Sequence, residues 1–154
     1  MTTNIVEIAA ELERIVDVWR DRLTETPSET AHAKPSADRW SISEVIGHLV
    51  DSACNNHQRF VRAQSADALV FPNYAQNEWV SAANYRALDW PSLVALWTNY
   101  NRLLAVLIRN LPERRLATAC TITPNEPCTL GFLVTDYLDH MEHHLAILET
   151  RVGA

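Results

Sequence analysis

Histidine is the residue that stands out for chemistry in this 154-residue chain. Six histidines accompany a single lysine, Lys34, and His140, His143 and His144 fall within five residues of one another. Neutral imidazole is a common ligand for zinc-like ions and titrates near neutral pH. On a helix, residues advance about 100° each, so His140 and His144 share one face a turn apart while His143 turns toward solvent. Glu142 points to roughly the opposite side, and the run His140-Met141-Glu142-His143-His144 is neither H-E-x-x-H nor H-x-x-E-H. A zincin arrangement, with a glutamate base beside two ligands, is therefore excluded.

A third ligand must come from elsewhere. His48 and His57 lie about 180° apart on one predicted helix, so only one of them can serve the site. His48 shares a polar stripe with Ser52, Asn55 and Arg59, suited to lining a cavity between helices, whereas His57 lies on the other flank. The expectation is one divalent ion on His48, His140 and His144, with nitrogen distances of ~2.0–2.1 Å and positions open to water or substrate. Ser52, Asn55, Arg59 and Tyr137 are the expected pocket lining, and the ligand set suits zinc, nickel or iron. The alternative is an ordinary half-exposed histidine pair on a helix edge. His32, His57 and His143 are read as bystanders. Cys54, Cys120 and Cys128 have no metal-ligand spacing and read as free thiols in a reducing compartment.

Four amphipathic helices are predicted to position these groups. Ile5, Ile8, Leu12, Ile15, Val16, Trp19 and Leu23 recur at helical spacing until Pro27. Ser41-Ile42-Ser43-Glu44 has the form of a capping box, opening a second helix through Ile42, Val45, Ile46, Leu49, Ala53 and Phe60 to Ala63 or Ser65. Gly47 costs roughly 1 kcal/mol inside a helix, so it is read as a point of close approach. Residues 66–89 are irregular, with Pro72 a breaker and a short helix over 78–88 carrying Trp79, which is read as core packing with a pocket cover as the alternative. Asp89-Trp90-Pro91 starts a third long helix whose stripe runs Leu93, Leu96, Trp97, Tyr100, Leu103, Leu104, Leu107, Ile108 and Leu111 up to Pro112. A Thr-rich segment within 116–128 is read as extended. Thr129 then caps a last helix with Leu130, Leu133, Val134, Tyr137, Met141, Leu145 and Leu148 inward. The fold class is all-α: a single-domain four-helix bundle over 1–154, with long crossovers after the second and third helices.

Composition bounds the function. At 47% hydrophobic and 21% charged the chain has the profile of one globular domain, and three glycines leave no material for a phosphate-binding loop. A formal charge of −6 argues against a nucleic-acid partner. No apolar run approaches the ~18 residues of a membrane span, and Met1 to Ala10 lacks the pattern of a signal peptide. The expectation is a cytoplasmic protein with a small-molecule substrate.

Two segments carry a resemblance. Arg39-Trp40-Ser41-Ile42-Ser43-Glu44-Val45-Ile46-Gly47-His48-Leu49-Val50-Asp51 and Asp136-Tyr137-Leu138-Asp139-His140-Met141-Glu142-His143-His144-Leu145 resemble the DinB-like (YfiT-like) superfamily of metal-dependent enzymes. Tyr74 through Glu78-Trp79-Val80 and the start Trp90-Pro91-Ser92-Leu93 are similar as well. The resemblance implies a four-helix bundle of unusual connectivity, often a homodimer, with one divalent metal on positions matching His48, His140 and His144. It also implies either a transferase or isomerase using a low-molecular-weight thiol such as bacillithiol, mycothiol or glutathione, or a hydrolase. The nucleophile would be a metal-activated thiolate or water. For thiol transfer, Arg59 and Asn55 would orient an anionic cosubstrate. For hydrolysis, Asp51 or Tyr137 would handle protons, with Asp51 turned outward. The competing expectation is a non-enzymatic, stress-related binding protein whose metal is structural or vestigial. Structural zinc sites are normally closed by four protein ligands, so three histidines weigh toward catalysis.

Overall fold

The computed structural model describes residues 4–153; Met1–Thr3, the start of the stretch read for a leader, and Ala154 lie outside the described residues. The first helix, α1 (Ile5–Glu25), starts where the Asn4 side chain accepts from the Glu7 amide, and it buries Ala9, Leu12, Ile15, Val16, Trp19 and Leu23. Pro27 then opens a single short helix, α2 (Ser28–His32). The expected capping box is present: Ser41 Oγ accepts from the Glu44 amide at 3.1 Å and Glu44 Oε2 accepts from the Ser41 amide at 2.7 Å, at the head of α3 (Ile42–Ala63). Asp89 caps α5 (Trp90–Arg109), with Pro91 in the first turn where its missing N–H costs nothing. Thr129 caps the last helix, α6 (Leu130–Leu148).

Between α3 and α5 lies β1 (Ala68–Pro72), then α4 (Gln76–Ala83), which ends on the left-handed residue Asn84 and passes into a 3-10 turn over Tyr85–Ala87. The crossover from α5 to α6 holds a 3-10 turn (Glu113–Arg115), β2 (Ala119–Thr123) and β3 (Cys128–Thr129). β1 pairs in parallel with β2 from Ala68↔Ala119 to Pro72↔Thr123, and β3 pairs antiparallel with β2. The extended Thr-rich segment was expected; β1 was not. Its partner lies two helices later in the chain, beyond α4 and α5, so nothing near residues 68–72 signals the pairing.

The bundle helices pack as a ring, α1 against α5, α5 against α3, α3 against α6, and α6 against α1. In that ring α1 stands across the core from α3, and α5 from α6, whereas α3 and α5, consecutive in the chain, are neighbours. Trp97, Phe60, Leu12, Leu23, Ile46, Leu93, Leu104 and Met141 are among the fully buried side chains. The Trp90 indole N–H reaches the carbonyls of Leu23 and Thr26, each at 3.1 Å, and so satisfies the open end of α1. The predicted stripe of α5 is wider than its buried face: Leu96 and Leu103 stand outward, 45% and 48% exposed, because the core accepts only the arc through Leu93, Trp97, Leu104 and Ile108. Among the described residues, no helix is long and apolar enough to cross a membrane.

Candidate metal centre

The site forms where α3 packs on α6. His48 sits in the middle of the buried face of α3 and is fully buried; His140 and His144 line the facing edge of α6 and are half-buried. One ring nitrogen from each of the three lies within 4.8 Å of the others, and no cysteine or carboxylate joins the group among the described residues. His48 Nε2 and His140 Nε2 are 3.1 Å apart. Two nitrogens at ~2.0–2.1 Å from a tetrahedral ion would stand about 3.3 Å apart, so this spacing is that of neighbouring ligands. The His48 and His144 ring centroids are 4.6 Å apart, as are those of His140 and His144.

Electrostatics favour neutral imidazoles. Burial, then the neighbouring His144 and His140, push His48 down to about 3; burial, then His140 and His143, push His144 down to about 4. His140 is also lowered, mainly by burial, with Asp136 opposing. Ser52 Oγ lies 3.5 Å from His140 Nδ1, on the side of the ring away from His48. That placement suits a tautomer with the proton on Nδ1 and the lone pair of Nε2 toward the cluster. His48 Nδ1 is buried with no hydrogen-bond partner among the described residues. Trp40 packs on the cluster, its ring 5.1 Å from His48 and 6.5 Å from His144.

Cavities flank the cluster on both sides. One, of about 290 Å³, is lined by His140 with Ser52, Asn56, Arg59, Tyr74 and Tyr137 among others. The other, of about 270 Å³, is lined by His144, Trp40, Arg39 and Arg151 among others, and Gln76 of α4 borders both. A further cavity of about 310 Å³ between α1 and α5 holds no histidine, cysteine or carboxylate and no member of the cluster.

Several expected residues are placed differently from their sequence reading. Asn55 does not line the cavity; its amide donates to the Asp51 carbonyl at 2.9 Å, and Asn56, one step of about 100° further round α3, takes its place. Tyr137 lines the cavity as expected. Its hydroxyl donates to Asn101 Oδ1 at 2.5 Å, and burial pushes its pKa upward, so it is unsuited to proton transfer there. Asp51 is not outward but 6% exposed, and the Tyr85 hydroxyl donates to its Oδ1. The cause is the 3-10 turn, which lays the Tyr85 ring over Gly47: a Cβ on Gly47 would fall 2.1 Å from Tyr85 Cδ2. Gly47 thus marks an aromatic contact rather than a helix approach. Burial raises the Asp51 carboxyl, and the Tyr85 hydrogen bond opposes the rise.

The bystander histidines stay outside the cluster: His143 is exposed, His57 Nδ1 meets the Tyr100 hydroxyl at 3.0 Å, and His32 Nδ1 meets Ser43 Oγ at 2.9 Å. Trp79 lines neither cavity beside the cluster; it is 40% exposed and packs on Tyr74, ring centroids 5.2 Å apart. Tyr74 is the residue that sequence reasoning missed. It sits 6.5 Å from the His48 ring and lines the His140 cavity, with burial raising its pKa and Ser52 and Arg59 opposing. It opens the segment that resembles the family, but its place in the connection between β1 and α4 gives no periodicity to set it beside the histidines.

Known proteins share this arrangement of chain. YfiT of Bacillus subtilis, 23% identical over 91% of this chain and 75% of its own, carries a provisional name as a metal-dependent hydrolase. A protein of Halalkalibacterium halodurans, 24% identical over 89% of this chain and 86% of its own, carries the same provisional name. The YfiT structure, described as a probable metal-dependent hydrolase with an unusual four-helix bundle topology, superposes with a TM-score of 0.78 at 18% identity over 92% of this chain and 80% of that one. A mutant of the mycothiol-dependent maleylpyruvate isomerase superposes with a TM-score of 0.73 at 16% identity, over 97% of this chain but 61% of that longer one. At these identities the two structures establish the fold: the four-helix bundle, with the three-stranded sheet a minor addition. The sequence pattern of the family matches residues 11–148, which includes all three clustered histidines, and this chain belongs to the DinB superfamily.

Proposed function

We propose that this chain is a metal-dependent enzyme acting on a small molecule, with one divalent ion held by His48, His140 and His144. The observation that carries the reading is the convergence of three imidazoles at ligand spacing, with no fourth histidine and no cysteine or carboxylate in the group among the described residues, and with cavities on both sides. Zinc, nickel and iron all suit three nitrogens. An ion on neutral ligands keeps its full charge and makes a bound water or thiol nucleophilic at neutral pH. The protein's own part is to keep His48 and His144 unprotonated by burial, to orient His140 through Ser52, and to present the Tyr74 hydroxyl at the cavity wall. The names of the relatives favour hydrolysis, and the isomerase described as mycothiol-dependent favours a thiol cosubstrate.

The test is turnover. Protein loaded with zinc, nickel or iron is assayed on a panel of esters, and on a soluble electrophile with bacillithiol, mycothiol or glutathione. Metal-dependent turnover that disappears in a folded His144→Ala variant is the expected result. Turnover unaffected by chelation would contradict it. An ion bound without turnover on any substrate would favour the binding-protein reading instead.

A further inference from the structure

The cavity beside His140 contains a buried cation that forms no ion pair among the described residues. Arg59 is 8% exposed, and its Nε and Nη2 have no hydrogen-bond partner among the described residues. Only Nη1 is engaged, to Asn56 Oδ1 at 3.5 Å, and the Phe71 ring lies 5.5 Å from the guanidinium carbon, backing the plane. The two free donors share one edge of the guanidinium, the edge that takes a carboxylate through two parallel hydrogen bonds. Burial opposes the charge of Arg59, so the fold holds a costly cation in place. Asp136 borders the same cavity, but it is exposed and forms no ion pair with Arg59 among the described residues.

We propose that Arg59 is a specificity residue that binds the carboxylate of a small-molecule substrate or cosubstrate in the His140 cavity. The volume, about 290 Å³, accommodates a ligand of benzoate size or somewhat larger. One guanidinium, with Asp136 at the border, matches a singly charged carboxylate better than a doubly charged phosphate. The assignment deepens the enzymatic reading and rests on it only for where the reacting group lies; the anion pocket does not itself require the ion.

The experiment is calorimetric titration of the full chain with benzoate, benzamide and inorganic phosphate, with and without bound zinc. Arg59→Met, Arg59→Lys and His144→Ala are compared with wild type. A charge-assisted pair is worth enough to make benzoate bind roughly tenfold tighter than benzamide. Arg59→Met loses that preference, Arg59→Lys keeps only part of it, and His144→Ala retains it in zinc-free protein. Because Arg59→Met removes an unpaired buried cation, its Tm does not fall below that of wild type, which separates lost binding from lost folding. Equal affinity for benzoate and benzamide, full benzoate binding by Arg59→Met, no saturable binding at millimolar benzoate, or a preference for phosphate would each overturn the proposal. Benzoate binding that needs zinc and His144 but not Arg59 would also overturn it, leaving the metal site intact.

Discussion

At Gly47 a single missing methyl decides how the flank of the histidine cluster is closed. The Tyr85 ring occupies the space a Cβ would need, and from there its hydroxyl reaches the buried Asp51. Gly47→Ala gains about 1 kcal/mol of helix propensity but overpacks against the ring, at a cost of about 1–3 kcal/mol. The expected outcome is a lower unfolding midpoint, recovered when Tyr85→Ala is added; equal midpoints for Gly47→Ala and wild type would show that the ring moves freely. Spacing groups His140 with His144 and, through the opposed phases of His48 and His57, allows only one of those two beside them; the polar stripe of Ser52, Asn55 and Arg59 is what points to His48. Asn55 was misplaced by one residue of helix phase, a step of about 100° that spacing without packing cannot resolve. Asp51 and Tyr74 were not legible in their true settings, because both depend on the segment between β1 and α5 folding back over α3.

Among the elements, three of the long helices were readable from their own start signals. Ser41 with Glu44, Asp89 with Pro91, and Thr129 all act locally, and all are capping residues in the structure. The sheet was half readable, since β1 depends on a partner from the other crossover. The capping box matters to the site because it fixes the start of the helix that delivers His48. Ser41→Ala is expected to cost about 1 kcal/mol, lowering Tm by roughly 2–4 °C. Thermal unfolding followed by circular dichroism measures this, and an unchanged Tm would mean that tertiary packing alone sets the start of α3.

For the molecule as a whole, burying neutral imidazoles links stability to pH. His48 and His144 sit at about 3 and about 4 in the folded chain, against an ordinary 6.5 when unfolded. The unfolded state therefore binds more protons between these values, so stability is full above pH 6.5 and falls as pH drops toward 4. Each imidazole contributes a slope of up to about 1.4 kcal/mol per pH unit in that window. Asp51, raised by burial, acts in the opposite sense as pH increases. Urea unfolding of chelated protein from pH 7 to pH 5 is expected to show the loss, with a shallower slope for His48→Gln; identical slopes would contradict the assignment. The central claim, that three histidines separated in sequence hold one ion, is tested most directly by metal analysis of the purified protein. Wild type is predicted to retain about one divalent ion per chain, as a three-ligand site requires, and His48→Ala, His140→Ala and His144→Ala each to lose it while remaining folded. Wild type without metal above background, or variants retaining as much as wild type, would contradict the account.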